Sequence, residues 1–329
     1  MAGSGGSKNA TAEFVNLLDT NAVDIDQAPF AAFDYNETKG GMDDHGRTLF
    51  LAVGLWRVWS AVARFAADPP AFRVRAWCPL ELPGAPRLLE LYVVAGGTFL
   101  DMCLERGGAV LPGRGAGVAP ESSLIYLEHA GMLLMFFLFG ALALLSQKRS
   151  RYLPLTDGEL CLVAAAAFTS EFLLFSYHSA THAGLEGYYH HLLVILIGLC
   201  ILAAVLGALL PASFPVDVAA GMLMALQGLW FYQTALTLYG PMLPAGCDRD
   251  ASGHQVDCHS RAAGERAEQL ANFQLFGAVF LAFVYVLGCY AVAAAMYGHP
   301  DLAAMHDEHV AALECRGGGD ASCAEECVV

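Results

Sequence analysis

The sequence predicts an all-α, polytopic membrane protein: a bundle of seven transmembrane helices with disordered acidic tails. Apolar residues make up 56% of the 329 residues and charged residues only 15%, whereas a soluble domain of this length needs a more polar surface. Several stretches of about 17–25 residues carry almost no charge, which is the length of a helix that crosses a bilayer. The net charge of −15 is concentrated at the two ends of the chain.

Composition divides the chain into three parts. Residues 1–44 are rich in Gly, Ser, Asn and Asp and are predicted to be a disordered acidic tail. Residues 45–298 are predicted to form the seven-helix domain, and residues 299–329 a second acidic tail that contains cysteines. No basic patch indicates a nucleic-acid partner. Membrane lipid is the expected surrounding, and the sequence names no protein partner.

The first three helices are separated by a Pro- and Arg-rich connection and by a Gly/Pro-rich loop. Helix one covers about residues 48–65 and carries two tryptophans toward its far end, where interfacial aromatic residues are common. Helix two covers about residues 88–104 and helix three about residues 123–145. The most basic run of the chain, SQKRSR, follows helix three.

The last four helices are predicted as two pairs of apolar segments, four with five and six with seven. Helix four covers about residues 158–178 and helix five about residues 189–209, with glycines between them that should break a continuous helix. Helix six covers about residues 216–239. A polar loop with two cysteines separates it from helix seven, at about residues 270–296.

The distribution of basic residues predicts the orientation. Lys and Arg cluster between helices one and two and between helices three and four, which the positive-inside rule places in the cytosol. The N-terminus is then lumenal or extracellular, where the sequons at Asn9 and Asn36 could be glycosylated. The loop that contains Cys247 and Cys258 lies on the same side, and we expect these two cysteines to form a disulfide.

Residues 168–191 bring histidines and carboxylates together. His178, His182, Glu186 and His190 recur every four residues. Because residues four apart share one helix face, His178 and His182 can direct their imidazoles to a common point. Because glycines follow His182, the last two members of the series are expected to return from the next helix.

The predicted orientation brings histidine or carboxylate from five helices to one outer face. A single histidine at a helix end is more often interfacial or hydrogen-bonded than a ligand, but imidazoles and carboxylates at one depth are what Zn²⁺ binds. The predicted zinc ligands are His129, His178, His182 and His190, with His45 as an alternative. The predicted supporting residues of the second coordination sphere are Glu105, Glu171, Glu186, Gln227 and Gln233.

Two of these polar residues are expected deeper in the membrane. Glu171 lies about two turns inside helix four, where an ionised carboxylate is costly, so it should be protonated, paired, or bound to an imidazole. Gln227 lies in the middle of helix six. It is expected to make a hydrogen bond between helices rather than to bind metal.

Four segments resemble the transmembrane protein 45 family, also known as domain of unknown function family 716. They are GMDDHGRTLFLAVGLWRVW (41–59), EHAGMLLMFFLFG (128–140), SEFLLFSYHSATHAGLEGYYHHLL (170–193) and LQGLWFYQ (226–233). The cysteine loop resembles the plant and algal branch. The resemblance implies a multi-pass protein of the endomembrane system (Golgi, endosome or plasma membrane) without an established activity.

The recurring polar positions of that family are present in this chain. Matching residues are His45, Glu105, His129, Glu171, His178, Glu186, His190, Gln227 and Gln233, and His182 fits the plant-like form. Glu128 departs from the animal members, in which a neutral residue is expected, and this argues against Glu128 as a ligand.

Two functions fit such a site. In the first, a metal or a His–Glu hydrogen-bond network fixes the outer helix ends of a non-catalytic protein that scaffolds, senses pH or moves an ion. In the second, the protein is a zinc-dependent membrane hydrolase of a lipid or amide, with Glu171 or Glu105 as base. Seven-helix hydrolases such as the ceramidase and adiponectin-receptor group are an analogy only, because their ligand order differs. No specific nucleophile or base motif is found, so the non-catalytic function is favoured and no catalytic residue is assigned.

Overall fold

The computed structural model describes residues 44–79, 86–110, 120–149, 151–249 and 256–297. Seven α-helices are present in this part of the chain. In order they are α1 (Asp44–Ala67), α2 (Leu89–Val110), α3 (Pro120–Lys148), α4 (Asp157–Thr181), α5 (Gly184–Leu209), α6 (Phe214–Thr234) and α7 (Arg261–Tyr297). Apart from Asp44, the predicted tails lie outside the described residues, and their disorder stays a prediction.

Six of these helices are long and apolar enough to cross a membrane, which agrees with the predicted polytopic membrane protein. The exception is α2, in which Glu90, Asp101 and Glu105 recur along the helix. Membrane crossing by α2 therefore stays a prediction. Large apolar side chains of α7, among them Phe273, Phe276, Phe280 and Phe283, are more than half exposed, as expected of a helix that faces lipid.

The connection between α4 and α5 is shorter than predicted and positions the histidines. Helix α4 ends at Thr181, His182 is extended (φ −95°, ψ 133°), and α5 begins at Gly184 with φ +64°. A glycine takes this left-handed conformation without steric cost. A β-carbon at Gly187 would lie 2.6 Å from the carbonyl oxygen of His182. The glycines thus start α5 and allow a close turn, where the sequence predicted a helix start near residue 189.

Helices α1 and α6 cross with their backbones in direct contact. A β-carbon at Gly54 would lie 2.7 Å from Cα of Ala225, and one at Gly228 would lie 2.8 Å from Cα of Leu51. Small residues at such crossings let membrane helices approach closely, and the resulting van der Waals contact drives their association. The crossing fixes the centre of the bundle.

A buried aromatic cluster lies under the histidines. Trp230 of α6 and Tyr189 of α5 are fully buried and stack with ring centroids 5.2 Å apart. The indole Nε1 of Trp230 donates a hydrogen bond of 3.0 Å to the carbonyl oxygen of Tyr189. The Tyr189 hydroxyl donates to Oε1 of Gln274 on α7 at 2.5 Å. These contacts hold the first turns of α5 against α6 and α7.

A small hairpin covers the end of α6. Strands β1 (Cys247–Arg249) and β2 (Val256–Cys258) are antiparallel, with Cys247 opposite Cys258 and their sulfur atoms 2.01 Å apart. This is the predicted disulfide. Arg249 donates hydrogen bonds to the carbonyl oxygens of Leu238 (2.7 Å) and Gly240. The hairpin is thereby fastened to the π-helical turn Ala235–Tyr239 that continues α6.

Candidate metal centre

Three histidines converge where α4 ends and α5 begins. One ring nitrogen from each of His178, His182 and His190 lies within 4.8 Å of the other two. Nε2 of His178 and Nε2 of His182 are 3.3 Å apart. In a tetrahedral zinc site with bonds near 2.0–2.1 Å, two ligand nitrogens lie about 3.3–3.4 Å apart. The spacing of this pair is therefore that of two ligands of one ion.

The tautomer of His190 is determined by its own helix. Its Nδ1 lies 2.7 Å from the carbonyl oxygen of Glu186. A carbonyl oxygen only accepts, so Nδ1 carries the proton and Nε2 presents a lone pair. Metal-binding histidines usually donate their second ring nitrogen to a carbonyl or carboxylate in this way.

Two carboxylates orient the other imidazoles. Nδ1 of His178 lies 3.4 Å from Oε2 of Glu128, and Nδ1 of His182 lies 3.2 Å from Oε1 of Glu186. The Glu186 side chain is 3% exposed, and its Oε1 also accepts a hydrogen bond of 2.8 Å from the Tyr239 hydroxyl. All three histidines therefore place Nδ1 next to an oxygen, which leaves Nε2 for a metal.

Ring stacking restricts the imidazoles further. The rings of His182 and His190 stack with centroids 4.9 Å apart and an interplanar angle of 6°. Phe175 stacks on His190 at 5.3 Å. His178 and His190 are buried, whereas the His182 side chain is 25% exposed. An ion could thus reach the cluster past His182.

The fourth predicted histidine lies beside this group. The ring centroid of His129 on α3 is 5.6 Å from that of His178. The group of converging nitrogens found in the described residues does not include it. His129 as a fourth ligand stays a prediction. The predicted residues His45 and Glu105 lie in α1 and α2, but their side chains fall outside the described part of the structure.

Glu171 and Gln227 pair with each other deeper in the bundle. Nε2 of Gln227 donates a hydrogen bond of 2.5 Å to Oε1 of Glu171, and the Cys200 thiol donates to Oε1 of Gln227 at 3.6 Å. Gln227 thus makes hydrogen bonds from α6 to both α4 and α5, as expected. Glu171 precedes His178 by seven residues, about 10 Å along the helix axis. Its hydrogen bond goes to an amide and not to an imidazole.

Sequence reasoning missed two residues that support the cluster. The amide of Gln233, a predicted supporting residue, donates to Thr237 at 2.9 Å, and its role at the site stays a prediction. Glu128 contacts His178, although only its position next to His129 at the start of a helix could have indicated this. Tyr239 contacts Glu186 from 53 residues away, and no local signal predicts such a contact.

Fold and site together define a multi-pass helical membrane protein with three histidines that could hold a metal ion. Residues 157–291 match the model of a family of unknown function (DUF716). The match extends from the start of α4 into α7 and includes all three histidines. Within these residues it confirms the resemblance to domain of unknown function family 716 of the motifs at 170–193 and 226–233. No curated protein matches the chain.

Proposed function

We propose that this protein is a zinc-binding membrane protein in which His178, His182 and His190 hold one Zn²⁺. The observation that carries the proposal is the convergence of three imidazoles whose Nδ1 atoms all face oxygen atoms. Imidazole also suits copper and nickel, but the 3.3 Å spacing of two ligand nitrogens fits the tetrahedral array of zinc. A fourth ligand would be water or His129.

The ion would have a structural, sensing or scaffolding role at this helix turn. Two ligands come from the end of α4 and its turn, and the third from the second turn of α5, so a bound ion joins both helices. Binding to the folded state alone stabilises it by about 2.7 kcal/mol when free metal is 100 times the dissociation constant. Metal supply would thus set the stability of the α4–α5 turn.

We place this turn on the lumenal or extracellular side of an endomembrane. The α4–α5 turn and the hairpin of Cys247 and Cys258 lie at one end of the bundle. The basic connection between α1 and α2 lies at the other, where Val74 N donates to the Pro211 carbonyl oxygen at 2.7 Å. The positive-inside rule puts that basic end in the cytosol. An oxidising lumen also suits the disulfide.

The proposal predicts that zinc content depends on the cluster. Wild-type protein, purified in detergent without chelator and analysed by elemental mass spectrometry, should contain about one zinc per chain. The His178→Ala/His182→Ala variant should lose it, because one remaining imidazole binds zinc weakly. His191→Ala is the matched control, since His191 is exposed and adjacent to His190. It should keep the metal.

Two outcomes would contradict the zinc proposal. Wild-type protein that neither contains zinc nor binds it after reloading would leave a hydrogen-bonded His–Glu network, in which the 3.3 Å contact joins two imidazoles directly. Zinc that persists in the double variant would place the ligands elsewhere in the chain.

The contact of Tyr239 with Glu186, which faces His182, gives a second prediction. Tyr239→Phe removes the hydroxyl that holds Oε1 of Glu186, which in turn faces Nδ1 of His182. Loss of such a supporting contact typically weakens metal binding about 10- to 100-fold. Competition with a chromophoric chelator measures this change. Tyr177→Phe is the control, because Tyr177 is 72% exposed and precedes His178; equal affinities of the two variants would exclude the coupling.

A zinc-dependent membrane hydrolase is the second candidate, favoured by the number of ligands. Three protein ligands with an open fourth position are typical of catalytic zinc, which lowers the pKa of a bound water to near 7. Against it, the Glu128 and Glu186 carboxylates contact Nδ1 atoms, on the side of each ring away from a metal at Nε2. Cobalt-substituted protein tests the open position that a hydrolase needs, because azide changes the visible spectrum only where it can replace a ligand; an unchanged spectrum would exclude the hydrolase.

A further inference from the structure

The disulfide hairpin lies against two elements that carry the metal site. Its strand β2 packs on the start of α5, where a β-carbon at Gly184 would lie 3.9 Å from the carbonyl oxygen of Val256. Val256 is buried in the same apolar core as Leu185. Strand β1 carries Arg249, which contacts the π-helical turn Ala235–Tyr239. The hairpin therefore contacts both α5 and the turn that follows α6.

Arg249 fixes the backbone on both sides of Tyr239. Its Nε donates a hydrogen bond of 2.7 Å to the carbonyl oxygen of Leu238, and its Nη2 donates to that of Gly240. Carbonyl groups at the end of a helix receive no amide donor from a next turn, so an arginine can satisfy them. The rigid, planar guanidinium can donate to two oxygens at once. Because Tyr239 lies between these two carbonyl groups, Arg249 restricts its position.

Tyr239 extends this restraint to the metal site. Its hydroxyl donates a hydrogen bond of 2.8 Å to Oε1 of Glu186, and the same oxygen lies 3.2 Å from Nδ1 of His182. The backbone carbonyl of Glu186 accepts from Nδ1 of His190 at 2.7 Å. Glu186 thus supports two of the three imidazoles. Its buried carboxylate needs hydrogen-bond donors, so loss of the Tyr239 hydroxyl would disturb the group that orients His182.

Three cross-strand pairs and one covalent bond hold Arg249 in the hairpin. The pairs are Cys247 with Cys258, Asp248 with Asp257 and Arg249 with Val256. Such a short two-stranded ladder is marginally stable on its own. The central pair also sets two carboxylates opposite each other, which is unfavourable, although His259 pairs with Asp248 at 2.6 Å. The disulfide is the covalent link that closes the hairpin, so its loss should loosen the strand that carries Arg249.

On the basis of the zinc site proposed above, we propose that Arg249 is a positioning residue of that site and that the Cys247–Cys258 disulfide is required to hold it in place. Arg249 acts through Tyr239 and Glu186 rather than as a ligand. The affinity for zinc then depends on the disulfide, so a new chain binds the metal tightly only once this bond has formed. Metal loading in the lumen therefore follows disulfide formation.

The zinc affinity of the full-length protein in detergent, measured by competition with a chromophoric chelator, tests the role of Arg249. Arg249→Ala should weaken zinc binding about 10-fold, the lower end of the range for a lost supporting contact. Arg249→Lys keeps the charge but not the planar fork, and it should show a smaller loss. Arg261→Ala is the matched control. It removes the same charge from a side chain that is 93% exposed and pairs with Glu265 of its own helix, so it should bind zinc like the wild type.

A double-mutant cycle shows whether Arg249 acts through Tyr239. In the Tyr239→Phe background the hydroxyl is already absent, so Arg249→Ala should cause less than about a twofold further loss of affinity. An arginine that only stabilised the fold would cause the same loss in both backgrounds.

Removal of the disulfide tests the second part of the proposal. Cys247→Ser/Cys258→Ser should weaken zinc binding about as much as Arg249→Ala, and the two changes together should cause little further loss. Wild type that is reduced with an immobilised phosphine and then alkylated should lose affinity equally, compared with alkylated, unreduced protein. Thermal unfolding midpoints of the metal-free proteins verify that each variant is folded.

Equal affinities of Arg249→Ala and wild type, or an undiminished loss in the Tyr239→Phe background, would overturn the positioning role. Wild-type affinity in the protein without its disulfide would overturn the requirement for that bond. Both results presuppose a wild type that binds zinc. A wild type that binds none would contradict the zinc site itself, and this role with it, so the two failures are distinguishable.

Discussion

Gly228→Leu should prevent assembly of the helix bundle, whereas Gly277→Leu should leave it folded. A β-carbon at Gly228 would lie 2.8 Å from Cα of Leu51, a backbone atom that can move only if α1 separates from α6. The same atom at Gly277 on α7 meets nothing within 4 Å. We expect a loss above about 4 kcal/mol at Gly228, in the range that only severe overpacking produces. Size-exclusion profiles and thermal midpoints in detergent measure it.

Alanine at the same two positions tests whether a single β-carbon raises or lowers the stability of the protein. Ala is about 1 kcal/mol better than Gly inside a helix, so Gly277→Ala should leave stability unchanged or raise it. Gly228→Ala should still destabilise, because the β-carbon itself makes the clash. If both alanine variants were equally stable, the close α1–α6 crossing would be wrong.

Asp217→Ala should cost about 3–5 kcal/mol, the usual effect of removing one partner from a buried ion pair. Asp217 is 1% exposed and accepts from Arg64 at 2.6 Å. Its loss leaves the Arg57 guanidinium, which is 8% exposed, without that nearby carboxylate. Denaturation in mixed micelles gives the difference in the free energy of unfolding.

The exposed pair of Arg261 and Glu265 provides the control. Its atoms are 2.8 Å apart, but the side chains are 93% and 57% exposed, so Glu265→Ala should cost less than about 1 kcal/mol. The double variant Arg64→Met/Asp217→Leu should recover part of the loss, because apolar residues can replace a buried pair at little cost. Equal effects of Asp217→Ala and Glu265→Ala would contradict the assigned burial of Asp217.

Local sequence patterns were sufficient to predict helices, the disulfide and the pairing of His178 with His182. Apolar length predicts the six helices that are long and apolar enough to cross a membrane, because a helix in lipid must satisfy its own backbone hydrogen bonds. The spacing of four predicts the pairing of His178 with His182, although His182 itself lies just past the end of α4 in an extended conformation. The cysteines flank a polar loop so short that pairing needs little long-range information.

Only the tertiary structure decided which other groups join the cluster. His190 enters because Gly184 starts α5 after a two-residue connection, whereas the sequence predicted a longer break. His129 and Glu171 are, like the converging histidines, polar residues within apolar helix segments. His129 nevertheless lies beside the cluster, and Glu171 pairs with Gln227.

The physical reason is that a helix period fixes which residues share a face, but not where that face points. The rotation and depth of each helix depend on contacts far along the chain, such as Gly228 against Leu51 and Tyr239 against Glu186. The sequence alone therefore determined a polytopic helical protein with a two-histidine motif. Packing between helices determined the third histidine and the carboxylates behind the rings.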